Sequence, residues 1–167
     1  MGRRKTPARL RTEILARLEE FDYQLLLLEE AMKEFGEDFD LREFKRAFEK
    51  ESGVVGSHKV QAVERSFSHV QNFMAQLAEA GGMLARLEPP KIHEGPAARA
   101  FEALEAAEVI DAPLCDRLKR CWQARSELEH DYIHVTAGRV HEAAKLAAES
   151  APDFIERYKR WIEPYLG

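Results

Sequence analysis

Residues 124–134 read ARSELEHDYIH. Arg125 brings a permanently charged fork that fits phosphate oxygens. His130 brings an imidazole, a group that can take or give a proton. Tyr132 carries a phenol that can bond a phosphate or stack on a base. Ser126 lies four residues before His130, so on a helix the two share a face and the hydroxyl can orient the imidazole. Glu129 lies four residues after Arg125 and can pair with it. Such groups suit work on a phosphodiester in a cleft, where an imidazole moves a proton and a cation meets the developing charge. The bland reading is a solvated face, with an incidental Arg125–Glu129 pair, an exposed His130 and a packing Tyr132.

The segment carrying these residues reads as a helix opened by Asp111 and Pro113. At ~100° per residue, Leu114, Leu118, Cys121 and Leu128 fall within about 40° of one direction. Arg125 and Tyr132 fall on the same line. An arginine in an apolar seam costs free energy unless it is paired or reaches water. The seam is therefore expected to open at Arg125 into a polar cleft or a subunit interface. His130 points ~140° away from Arg125 on an ideal helix. Three arrangements would reunite them: the guanidinium bends round, the helix ends or tightens near Asp131, or a second copy supplies one of the two groups.

Arg117, Lys119 and Arg120 precede Arg125 and give this helix a local positive excess over Asp116. They are candidates for an RNA-backbone track, with a solvated face as the alternative. His130 and His134 are spaced i, i+4, as metal ligands can be. No HExxH pattern and no third ligand accompany them, so no metal and no cofactor is expected.

The remaining elements also read as helical. Thr6 and Pro7 cap a helix whose stripe runs Leu10, Ile14, Leu18, Phe21, Leu25, Leu28, Met32, Phe35, and Gly36 ends it. Asp40 and Glu43 form a capping box for a short helix with Leu41, Phe44 and Phe48. Ser52, Gly53, Val54, Val55 and Gly56 interrupt, and Ser57 is expected to cap a long helix carrying Val60, Val63, Phe67, Val70, Met74 and Leu77. Gly81 and Gly82 in that stripe would allow another element to approach closely. Glu64, Arg65 and His69 on this helix read as a solvated polar face. His58, His69 and His93 have no evident partners. Pro89 and Pro90 mark a loop, and Pro96 starts the next helix. A last helical region spans about 136–162, with Tyr158, Trp161 and Ile162 as packing residues and Pro152 expected to kink or restart it. No stretch alternates with period two. The fold expected is an all-α, up-and-down bundle of five to six helices, with residues 1–6 a basic disordered tail and residues 7–167 one domain.

With 45% apolar and 33% charged residues, a chain of 167 residues can bury its own core and remain soluble. The net charge of −5 argues against bulk nucleic-acid binding but leaves a local basic site open. Met1 begins no signal peptide and no apolar run spans a membrane, so a cytoplasmic location is expected, with Cys115 and Cys121 reduced.

Arg125, four residues, His130, one residue and Tyr132 resemble the Arg-x4-His-x-Tyr signature of HEPN-superfamily ribonucleases of the HepT type. The segments VERSFSHVQNF, AARAFEALEAAEVID and RYKRWIEPYL are also similar to that family, so the resemblance covers most of the chain. It implies a four-helix HEPN-type core with an extra helix. It also implies a homodimer whose two signatures face one cleft, and metal-independent cleavage of RNA (tRNA or mRNA). In toxin–antitoxin pairs of this kind, a nucleotidyltransferase antitoxin silences the toxin by adding AMP to the tyrosine that Tyr132 matches. One position departs. HEPN nucleases often carry Asn or Asp after the arginine, where this chain has Ser126, a hydroxyl with less reach. The alternative is therefore a non-catalytic HEPN module that binds a nucleotide or scaffolds a nucleotidyltransferase.

Overall fold

Thr6 has an extended backbone, and its Oγ1 accepts the Arg9 N–H at 3.3 Å. Pro7 follows, with no N–H to leave unmet, and α1 (Pro7–Lys33) begins there. The computed structural model describes residues 4–91 and 95–167. Asp40 caps α2 (Leu41–Phe48) by accepting the Glu43 N–H at 2.8 Å, and Asp111 caps α5 (Ala112–His130) by accepting the Leu114 N–H at 2.9 Å. Between them lie α3 (Gly53–Leu84) and α4 (Pro96–Ala106). Thr136 caps α6 (Ala137–Leu166) through the Arg139 N–H. Among the described residues all regular structure is helical, and the chain is an all-α bundle of six helices. No helix is long and apolar enough to cross a membrane among these residues.

Cross-helix bonds fix the directions. Arg17 reaches Gln76 and Lys59 reaches Glu34, so α1 and α3 are antiparallel. Arg11 donates to the Tyr165 carbonyl and Lys159 pairs with Asp22, which sets α6 antiparallel to α1. Arg139 with Glu127 and Arg117 with Ser150 set α5 antiparallel to α6. The four long helices therefore alternate up and down, with α2 and α4 as short helices in the connections. Phe21, Phe44, Phe67, Phe101, Phe154 and Tyr158 are fully buried among them.

The stripe expected on α1 packs as read: Leu10, Ile14, Phe21, Leu28 and Phe35 are buried, and Leu18, Leu25 and Met32 lie against them. Two boundaries differ from expectation. α3 starts at Gly53, not at Ser57, so the Gly-Val-Val-Gly stretch is its first turn. Gly56 explains this, because a Cβ there would run into Ser52 and Ala47 at the α2–α3 corner. α6 runs unbroken through Pro152. The ring sits on the exposed face, while buried Ala151, Phe154 and Ile155 hold the turn in place. Packing there outweighs the one lost backbone bond. Of the six-residue tail expected ahead of the domain, Lys5 pairs with Glu13 at 2.8 Å and Thr6 is the α1 cap. Arg3 lies outside the described residues, as does His93.

The expected close approach occurs at Gly81 and not at Gly82. A Cβ on Gly81 would meet Tyr158 and Trp161 of α6, whereas one on Gly82 meets nothing within 4 Å. Beside it the buried Tyr158 hydroxyl donates to the Leu77 carbonyl at 2.6 Å. Gly81→Val is expected to destabilise the bundle by about 1–3 kcal/mol through overpacking. Gly82→Ala is expected to be neutral or to stabilise by up to about 1 kcal/mol through helix propensity. Urea denaturation of both variants tests the difference.

Candidate functional site

Leu114, Leu118, Cys121 and Leu128 of α5 are all buried, as their common direction demands. Arg125 sits among them with only 13% of its side chain exposed. It is paired with Glu129 at 2.7 Å, and its guanidinium carbon lies 4.7 Å from the Trp122 ring centre. Its Nε is buried without a hydrogen-bond partner. The expected opening of the seam at Arg125 is thus displaced. Leu128, one turn further on, is still buried, and the surface opens only past the end of the helix.

That end comes at His130. Asp131 leaves helical geometry at φ −141° and ψ 46°, and the His134 N–H closes a turn onto the Asp131 carbonyl at 3.1 Å. Of the three arrangements that would reunite Arg125 with His130, termination near Asp131 is the one present in the chain. It does not bring the two groups into contact. His130 is exposed and has no side-chain partner among the described residues, and Ser126 is half-buried with no bond to it. Tyr132 is 56% exposed and Ile133 is 90% exposed, so a pair of large side chains stands out from the bundle at this turn.

The basic residues upstream are already matched. Arg117 bonds Ser150 and pairs with Asp153, Lys119 pairs with Glu102 at 3.0 Å, and Arg120 pairs with Glu142 at 3.1 Å. The local positive excess is largely neutralised across helix boundaries. Among the described residues no three His, Cys, Asp or Glu side chains converge as a metal site would require. The i, i+4 face that His130 and His134 would share is lost, because the helix stops between them. Cys115 and Cys121 are free thiols, pushed up to about 12 chiefly by burial. His141 serves packing: it stacks on Phe39 with ring centres 4.1 Å apart, and its Nε2 lies 2.6 Å from the Phe39 carbonyl.

Two neighbours of the site escaped the sequence reading. Asp131 Oδ1 lies 2.6 Å from His134 Nδ1. Glu64 of α3, expected on a solvated face, is half-buried instead, and its Oε1 is enclosed without a partner. Burial pushes its carboxyl up to about 7. Its charge reaches Tyr132, whose phenol is raised first by burial and then by Glu64. The buried Gln71, seven residues along the same face of α3, likewise has both amide atoms unpartnered. Periodicity could have flagged Gln71, which falls one residue after Val70 in the apolar stripe. The same signal applies to Glu64, which falls one residue after Val63.

No family model and no curated protein matches the chain. A solved structure does: YutE from Bacillus subtilis, described as a cytosolic protein of unknown function. The two are 18% identical and superpose with a TM-score of 0.66 over 92% of this chain and 91% of that one. At that identity the likeness shows a shared helical fold.

Glu64 has a consequence for stability. Its folded value of about 7 exceeds its ordinary 4.5, so over that interval the folded chain binds a proton that the unfolded chain has released. Stability therefore falls as pH rises from about 4.5 to about 7, and the full cost persists above it. Glu64→Gln is expected to flatten this part of the melting-temperature profile. Thermal unfolding of both proteins across that range is the check.

Proposed function

We propose that the chain is a HEPN-superfamily protein of the HepT type, acting as a metal-independent endoribonuclease. The observation that carries this reading is the termination of α5 at His130. It leaves His130 and Tyr132 exposed and uncommitted on one short turn. One and a half turns below, Arg125 is held in place by Trp122 and Glu129. In this reading His130 takes the 2′-hydroxyl proton, and Arg125 stabilises the charge on the phosphorus centre. Tyr132 holds a phosphate or a base. Because one chain does not bring Arg125 to His130, the working site is composite, completed by a second copy over the exposed Tyr132–Ile133 turn. The RNA is of the tRNA or mRNA class.

Purified protein is expected to cut RNA in the presence of EDTA and to leave 2′,3′-cyclic phosphate ends. His130→Ala should lose at least about 100-fold in rate. Cleavage that disappears with chelator sinks the metal-independent mechanism.

The exposed phenol also suits modification. Co-expression with a nucleotidyltransferase antitoxin is expected to add AMP to the Tyr132 peptide and to abolish cleavage, read by mass spectrometry and activity together. Tyr132→Phe should abolish the mass shift.

A second reading has its own support. The 2.7 Å contact between Arg125 and Glu129 already engages one guanidinium nitrogen. A non-catalytic module in which Arg125 and His130 hold a phosphate without cutting, or one that scaffolds a nucleotidyltransferase, needs no proton transfer from the exposed His130. Binding of RNA or nucleotide by the wild type without any cleavage would favour it.

A further inference from the structure

The turn after α5 holds a second imidazole with an oriented ring. Asp131 and His134 are the first and last residues of that turn, and the backbone bond from His134 N–H to the Asp131 carbonyl closes it at 3.1 Å. The two side chains meet as well, with Nδ1 of His134 at 2.6 Å from Oδ1 of Asp131. An ionised carboxylate only accepts, so Nδ1 must carry the proton of this bond. That fixes the ring's tautomer and orientation. It leaves Nε2 facing outward on a side chain that is 78% exposed. His130 ends the helix four residues earlier in the chain, with Tyr132 between the two histidines in sequence.

We propose that His134, oriented by Asp131, is the general acid of the ribonuclease reaction. The proposal rests on the nuclease reading above and deepens it by assigning the second proton transfer. The 2′-oxygen forms its bond to phosphorus and gives its proton to His130. The bond from phosphorus to the 5′-oxygen breaks, and that oxygen takes the proton from Nε2 of His134. The products are a 2′,3′-cyclic phosphate and a 5′-hydroxyl, and no oxidant or metal is needed. Asp131 is a positioning residue: it holds the ring and stabilises its charged form. The hydrogen bond to Asp131, and then its charge, raise His134 above the ordinary imidazole value, which enlarges the fraction able to donate near neutrality. A single chain then carries an acid and a base of distinct environment.

The test uses two RNA oligonucleotides, one with an ordinary linkage and one with a 5′-bridging sulfur at the cleavage site. A thiolate leaves without protonation, so the acid is dispensable for the second substrate. His134→Gln is expected to slow the ordinary substrate by about 100-fold or more, while the sulfur substrate is cut within about threefold of the wild-type rate. His130→Gln should slow both. Asp131→Asn should lower kcat on the ordinary substrate with KM unchanged, and recover with sulfur. Unaltered cleavage of the ordinary substrate by His134→Gln overturns the assignment. Equal losses on both substrates overturn it too, since they indicate a binding or structural role. A wild type that cuts neither RNA overturns the nuclease reading, and this proposal with it.

Discussion

The chain must reverse between α5 and α6 within residues 131–136, because those two helices lie side by side and antiparallel. Arg139 to Glu127 and Arg120 to Glu142 tie them across the surface, and Cys121 to the Ala143 carbonyl ties them within. Thr136 restarts the chain as a helix by capping α6. Six residues make this reversal, and the His134 N–H to Asp131 carbonyl bond closes its first part. In this short turn Tyr132 and Ile133 face outward and Asp131 meets His134. The candidate site is thus a by-product of helix pairing. Its residues are presented because the bundle has nowhere to bury them.

Arg125 shows a competition between structure and chemistry. A guanidinium in an apolar seam needs a partner, and Glu129 with the Trp122 face supplies one. The same contacts engage one nitrogen and one face of the guanidinium. A phosphate replacing Glu129 would restore the charge balance, so the pair can be read as a resting state or as a finished structural feature. The enclosed Nε, which has no partner, shows that Glu129 does not satisfy this arginine completely.

Most of the architecture was legible because caps and periodicity are local. Thr6, Asp40 and Asp111 cap helices through side-chain bonds reaching only three residues ahead. The first turn of α3 was misread because valines and glycines have low helix propensity, and only the α2–α3 corner shows why they are helical. Pro152 misled for the same reason, its local penalty being outweighed by burial on both sides. Glu64 borders the apolar stripe one residue after Val63, but how deeply it is covered depends on elements far away in sequence. Spacing placed residues 124–134 within one long helix. It could not say that the helix stops at His130, which decides which side chains meet. The likeness to YutE extends to the fold and leaves the chemistry to these residues.

Cys115 and Cys121 lie on the inner face of α5, where thiolate formation is strongly disfavoured. Neither can meet an alkylating reagent while α5 is seated. Labelling must wait for the helix to lift away from its neighbours, and its pace then records how often that happens. The chain thus carries an intrinsic clock for the opening of the very helix that presents its candidate site.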